Sequence, residues 1–95
     1  MAAYMVAQVV VTDKARFQVY REAFPGTLGD SGCKVLSATP AVDVPEGEWP
    51  PGNTVILEFP SMDKLQAWYH SPEYQAAIKL RESASKASVA FFEGV

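Results

Sequence analysis

A single cysteine, Cys33, and a single histidine, His70, stand in this 95-residue chain. One cysteine excludes an internal disulfide and any multi-cysteine metal site. With His70 far from Cys33 in sequence, no metal or other cofactor is expected. The 8 basic residues are outnumbered by 11 acidic ones, for a net charge of −3. The lysines and arginines are scattered, so a nucleic-acid partner has no electrostatic support. No apolar run approaches membrane-span length, and the N-terminus lacks the basic region and small-residue cleavage site of a signal peptide. The chain is therefore read as cytoplasmic, without a membrane partner. Repeats, low-complexity tracts, a Gly-rich phosphate loop and a Ser-His-Asp order are also missing.

What is present belongs to one ordinary globular domain spanning residues 1–95, with 48% apolar and 20% charged residues. The stretch Thr54–Ala77 organises it. Val55, Leu57 and Phe59 alternate with Thr54, Ile56 and Glu58, the composition of a largely buried strand with one carboxylate near its end. Pro60 stops the strand and Ser61 caps a helix carrying Met62, Leu65, Trp68 and Tyr69 at helical spacing. Ser71-Pro72-Glu73 then restarts the chain as a second helix, with a cap, a proline at the first helical position and an acid in the first turn. Tyr74, Ala77, Ile78 and Arg81 share one face of it.

The remaining elements fall into order around this stretch. Tyr4–Thr12 is a strand apolar on both faces, with Tyr4, Val6 and Val10 on one and Met5, Ala7, Val9 and Val11 on the other. Thr12-Asp13 caps a helix bearing Phe17, Tyr20 and Phe24, loosened at Pro25-Gly26. Cys33–Ala38 reads as a short strand, Pro40–Gly52 as an extended loop whose Trp49 needs cover, and Ser88–Glu93 as the last strand. Strand, helix, strand, strand, broken helix, strand predicts an α+β ferredoxin-like sandwich. It has one antiparallel four-stranded sheet, helices on one face, and the first and third strands central. The uncovered face calls for a second copy, sheet on sheet, making a homodimer.

These pieces resemble domain-of-unknown-function family 1330, within the dimeric α/β-barrel superfamily. The resemblance is carried by Val11-Thr12-Asp13, Glu46-Gly47-Glu48-Trp49, Glu58-Phe59-Pro60-Ser61, Ala67-Trp68-Tyr69, Ser71-Pro72-Glu73-Tyr74, Arg81 and Glu93-Gly94. It covers nearly the whole chain and implies the fold and a homodimer. The chain departs from the family pattern at Asn53-Thr54, where members often carry a basic residue, at His70, and at Gly32-Cys33-Lys34 in place of Gly-Gly-Arg.

The candidate chemistry is small. Glu58 and His70 are the candidate catalytic residues, as bases. Tyr20, Trp68, Tyr74 and Arg81 are the candidate ligand-binding residues, aromatics as walls and Arg81 as anion partner. Each has a structural counterpart: a surface histidine at a helix end, aromatics that are only core, and a Glu58–Arg81 ion pair, which is favoured for that carboxylate. Cys33 reads as an inert buried thiol. The expected function is binding of a small organic molecule in an apolar cleft, with cofactor-free acid/base or oxygenase-type chemistry implied by the superfamily. The alternative is a non-catalytic structural or ligand-binding dimer. No line of the sequence decides whether the protein is an enzyme.

Overall fold

Side chains alternate across a strand, and in β1 (Ala3–Val11) the alternation separates two environments. Ala3, Met5, Ala7 and Val9 are buried, whereas Tyr4, Val6 and Gln8 are half-buried and Val10 is exposed. The computed structural model describes all 95 residues. After β1 come α1 (Lys14–Ala23), a 3-10 turn (Phe24–Thr27), β2 (Lys34–Thr39), β3 (Asn53–Phe59), α2 (Met62–Tyr69), α3 (Pro72–Ala84) and β4 (Ser85–Glu93). The sheet order is β2-β3-β1-β4 with every pairing antiparallel. This is the expected ferredoxin-like α+β sandwich, with β1 and β3 at the centre.

Register fixes which residues face the helices. Met5 pairs with Leu57 and Phe91, and Ala7 with Val55 and Val89, on the covered side. Tyr4 pairs with Glu58 and Phe92, and Val6 with Ile56 and Ala90, on the other. In β2 the register shifts between Val35 and Ser37, a bulge at Leu36 that interrupts an otherwise open edge.

The helices start where their caps are. Asp13 accepts from Arg16 N, Ser61 from Lys64 N and Ser71 from Tyr74 N, so each first turn has a side-chain acceptor for a backbone donor. Ser71 does more, because its hydroxyl also donates to Trp68 O at 2.7 Å. It thereby ties the end of α2 to the start of α3. The chain passes from Ala84 into β4 without a loop. Ser85 Oγ donates to Arg81 O at 2.6 Å there, and the amides of Thr12 and Asp13 both donate to Ala84 O. β4 therefore begins earlier than the Ser88 expected from composition. Pairing of Ser85–Ala87 with Val9–Val11 of β1 holds those residues in the sheet despite their weak strand propensity.

The core is densest beneath α2 and the start of α3. The Trp68 ring lies 4.0 Å from that of Tyr74 and 5.2 Å from that of Phe59, centroid to centroid, and Leu65 is fully buried beside them. Trp49 is not covered as expected. It stays 52% exposed, with Nε1 donating to Thr54 Oγ1 at 3.4 Å on the helix-free side of the sheet.

Because Ser71 both caps α3 and donates to the Trp68 carbonyl of α2, Ser71→Ala should cost about 1–2 kcal/mol. Pro72→Ala should cost less, and denaturant midpoints of the two variants provide the comparison.

Candidate functional site

The aromatic stack fills one half of the space between sheet and helices. The other half lies beneath α1 and the 3-10 turn, where the sheet presents small or narrow side chains. Ala7 and Val9 of β1, Val55 of β3, Ala38 of β2 and Val89 of β4 leave a cavity of about 360 Å³. Phe17, Tyr20 and Phe24 roof it, and 11 of its 14 lining residues are hydrophobic. The other three are Arg21, Asn53 and Arg81, and Tyr20, counted among the 11, adds a hydroxyl. Val35, Ala38 and Arg21 are exposed and mark its mouth along the β2 edge. Arg81 lies on the β4 side, where it and Val89 also border a polar, open cleft with His70, Gln75, Glu82 and Lys86.

Two of the residues singled out by sequence line this cavity, Tyr20 and Arg81. Tyr74 stands behind Tyr20, their hydroxyls 2.9 Å apart and buried. Trp68 does not reach it. Its ring is packed in the core stack and its Nε1 donates to Thr27 Oγ1 at 3.1 Å. His70 caps the end of α2 with its ring exposed, Nε2 3.1 Å from Gln66 Oε1. Glu58 is on the helix-free face, where it accepts from the Tyr4 hydroxyl at 3.1 Å.

The expected Glu58–Arg81 ion pair is therefore corrected. Strand alternation sends Glu58 away from the helices while its neighbours Leu57 and Phe59 enter the core, so the sheet separates it from Arg81. The chain's one side-chain ion pair is Asp13–Arg16. Glu58 and His70 share no cavity. Sequence reasoning also missed Arg21, Asn53 and the aliphatic floor. The signal for the floor was the parity of β1 and β3, since Asn53, Val55 and Leu57 share the parity of Phe59.

Ionisation follows burial. Desolvation pushes Tyr20 well above the ordinary tyrosine range, and a charge on Tyr74 would push it further. Burial also raises Tyr74, against the hydrogen bond from Tyr20 and the nearby Arg81 cation, which pull it down. Both phenols therefore stay neutral hydrogen-bonding groups at physiological pH. On the other face, the hydrogen bond to Glu58 and then its charge raise Tyr4. Burial pushes the Cys33 thiol up to about 11, which fits an inert thiol. No cluster of three or more His, Cys, Asp or Glu side chains is arranged to hold a metal ion.

A ferredoxin-like sandwich with an apolar cavity between helices and sheet defines the class. The chain belongs to the family described as Domain of unknown function (DUF1330), whose profile matches residues 2–95. Solved structures share the fold at low identity. A protein of unknown function from Rhodopseudomonas palustris gives a TM-score of 0.79 at 16% identity, covering 99% of this chain and 82% of that one. A dimeric ferredoxin-like protein of unknown function from Jannaschia sp. CCS1 gives 0.77 at 14%, covering 99% and 100%. SnoaB, a cofactor-independent oxygenase from Streptomyces nogalater, gives 0.68 at 10%, covering 99% and 93%. No curated protein matches the sequence.

The Tyr20–Tyr74 pair makes a double-mutant test. Tyr20→Phe or Tyr74→Phe alone leaves one buried hydroxyl without its partner and should cost about 1–3 kcal/mol. The double variant should cost less than the sum, read from denaturant midpoints. Alkaline stability has a definite sign. Both folded-state pKa values lie above the unfolded tyrosine value of about 10, so the folded state keeps protons that the unfolded state releases. The stabilisation is complete below about pH 10 and is lost as pH rises further, and the double Phe variant should lose less stability there.

Proposed function

We propose that the protein is a homodimer that binds a small organic molecule in the cavity between α1 and the sheet. The observation that carries this reading is the cavity, about 360 Å³ with a predominantly hydrophobic lining. That volume and composition suit a small ligand held by burial of its apolar surface, with a few polar groups to orient it. Tyr20, backed by Tyr74, supplies a neutral hydroxyl, and Arg81 and Asn53 the other polar contacts. No Asp, Glu, His, Cys or Lys lines the cavity, and Glu58 and His70 stand outside it. The reading is accordingly one of binding rather than of acid/base catalysis by those two residues.

The dimer follows from the other face of the sheet. Val10 and Phe92 are 39% and 53% exposed there, alongside Val6, Ile56 and Ala90, with Trp49 at the margin. An apolar patch of this kind, bordered by Gln8, Thr54, Glu58 and Lys86, suits a second sheet packed against it. Fold neighbours described as dimeric support the same assembly.

Calorimetric titration with 2-naphthamide, a neutral apolar probe, tests the cavity. Val55→Phe fills it from β3 and should abolish binding while the circular dichroism spectrum is unchanged. Equal affinity in the two proteins would exclude this cavity as the site. For the assembly, light scattering should return about twice the 10.4 kDa chain mass. Val10→Asp should give a smaller species, whereas Val9→Asp should unfold the chain, because Val9 is in the core. A parent protein that stays monomeric at micromolar concentration would remove the dimer.

A further inference from the structure

Arg81 is a cation with no acidic partner in the chain, its polar neighbour being the neutral Tyr74 hydroxyl. It is 8% exposed, forms no ion pair, and its buried Nε has no hydrogen-bond partner. An arginine cannot escape this by losing its proton, as a buried lysine can. A buried cation without a counter-ion is disfavoured and a neutral phenol does not supply one, so its position favours an anion from outside the fold.

The surroundings limit where that counter-ion comes from. Tyr20 and Tyr74 are held neutral by burial. In the adjoining cleft Glu82 and Lys86 are exposed, and Glu82 makes no ion pair with Arg81. Glu58 is across the sheet. A second copy packed on the helix-free face lies beyond the same barrier. Two approaches remain, the polar cleft and the cavity, and of the two only the cavity gives an apolar body a lining beside Arg81.

We propose that the ligand is an organic monocarboxylate, with its apolar body against Phe17, Val55 and Leu57 and its carboxylate paired with Arg81. The proposal rests on the cavity reading above and adds the ligand's charge class. One negative charge neutralises the one buried cation. A phosphate dianion would carry surplus charge into a cavity with few donors to receive it. The planar guanidinium also matches a carboxylate in shape. This anchor is distinct from the start of β3, where Asn53 leaves the chain without a basic residue.

The test is calorimetric titration with three probes that share one aromatic body: 2-naphthoate, 2-naphthamide and 2-(aminomethyl)naphthalene. The acid should bind about tenfold or more tightly than the amide, and the amine should bind most weakly. Arg81→Gln should remove the preference for the acid, weakening acid binding by far more than amide binding, and Arg81→Lys should restore part of it. Arg21→Gln, at the exposed mouth, should keep the preference. Equal binding of acid and amide to the parent protein overturns the monocarboxylate proposal and leaves the cavity reading standing. Failure of both to bind overturns both. Loss of the preference in Arg21→Gln with retention in Arg81→Gln overturns the assignment to Arg81. If Arg81→Gln does not fold, the parent's ranking of the probes together with Arg81→Lys decides the outcome.

Discussion

The helices cover one face of a four-stranded sheet, and strand alternation decides what each face receives. Every second residue of β1 and β3 enters the space beneath the helices, and the intervening ones face the other way. On the covered side the side chains are graded in size. Phe59 and Leu57 lie toward the end of β3 that meets α2, where Trp68, Tyr74 and Leu65 fill the interior. Toward the other end, Val55 and Asn53 oppose Ala7 and Val9, and even Phe17 and Tyr20 above them leave space unfilled. Interiors pack to high density because voids forfeit dispersion contacts. A gap this large is therefore a feature of the residue sizes along the two central strands, beside a half that aromatic side chains fill.

That division explains why the buried arginine is tolerated where it is. α3 spans both halves, with Tyr74 in the filled one and Arg81 beside the open one. Among close-packed apolar side chains an unpaired guanidinium would cost about 3–5 kcal/mol. At the junction of the cavity with the polar cleft, an incoming anion can approach it without any rearrangement of the chain. Ser85 anchors the same turn through its bond to Arg81 O, so the cation sits on backbone held from both the helix and β4.

Much of the fold was legible because its signals are local or periodic. Asp13, Ser61 and Ser71 announce their helices by cap chemistry, and the two-sided apolar character of Tyr4–Thr12 announces a central strand. The start of β4 was not legible, since Ser85-Lys86-Ala87 join the sheet only through pairing with β1. The site was legible in part. Tyr20 and Arg81 stand out by type, but their partners depend on which way neighbouring strands point. Glu58 was paired with Arg81 because the two look complementary in sequence, whereas the parity shared by Leu57 and Phe59 already assigns Glu58 to the opposite face. Trp68 looks like a ligand wall by type and is a core residue by position. Composition identifies polar groups that need partners, and only register says which face each partner is on.

The same parity gives the two faces different jobs. On the helix-free side the polar groups satisfy one another: Tyr4 with Glu58 at 3.1 Å and Gln8 Nε2 with Thr54 Oγ1 at 2.7 Å. Those cross-strand pairs engage Tyr4, Glu58, Thr54 and the Gln8 amide nitrogen, with Gln8 Oε1 left buried and unpartnered, while Val6, Ile56 and Phe92 remain available for contact with another apolar surface. On the covered side the large polar groups are few, and one of them, Arg81, carries a full charge with no internal counter-ion. A sheet that links polar side chains across its strands on an apolar face and holds a cation without a counter-ion on the other is suited to association through the first face and to ligand binding under the second.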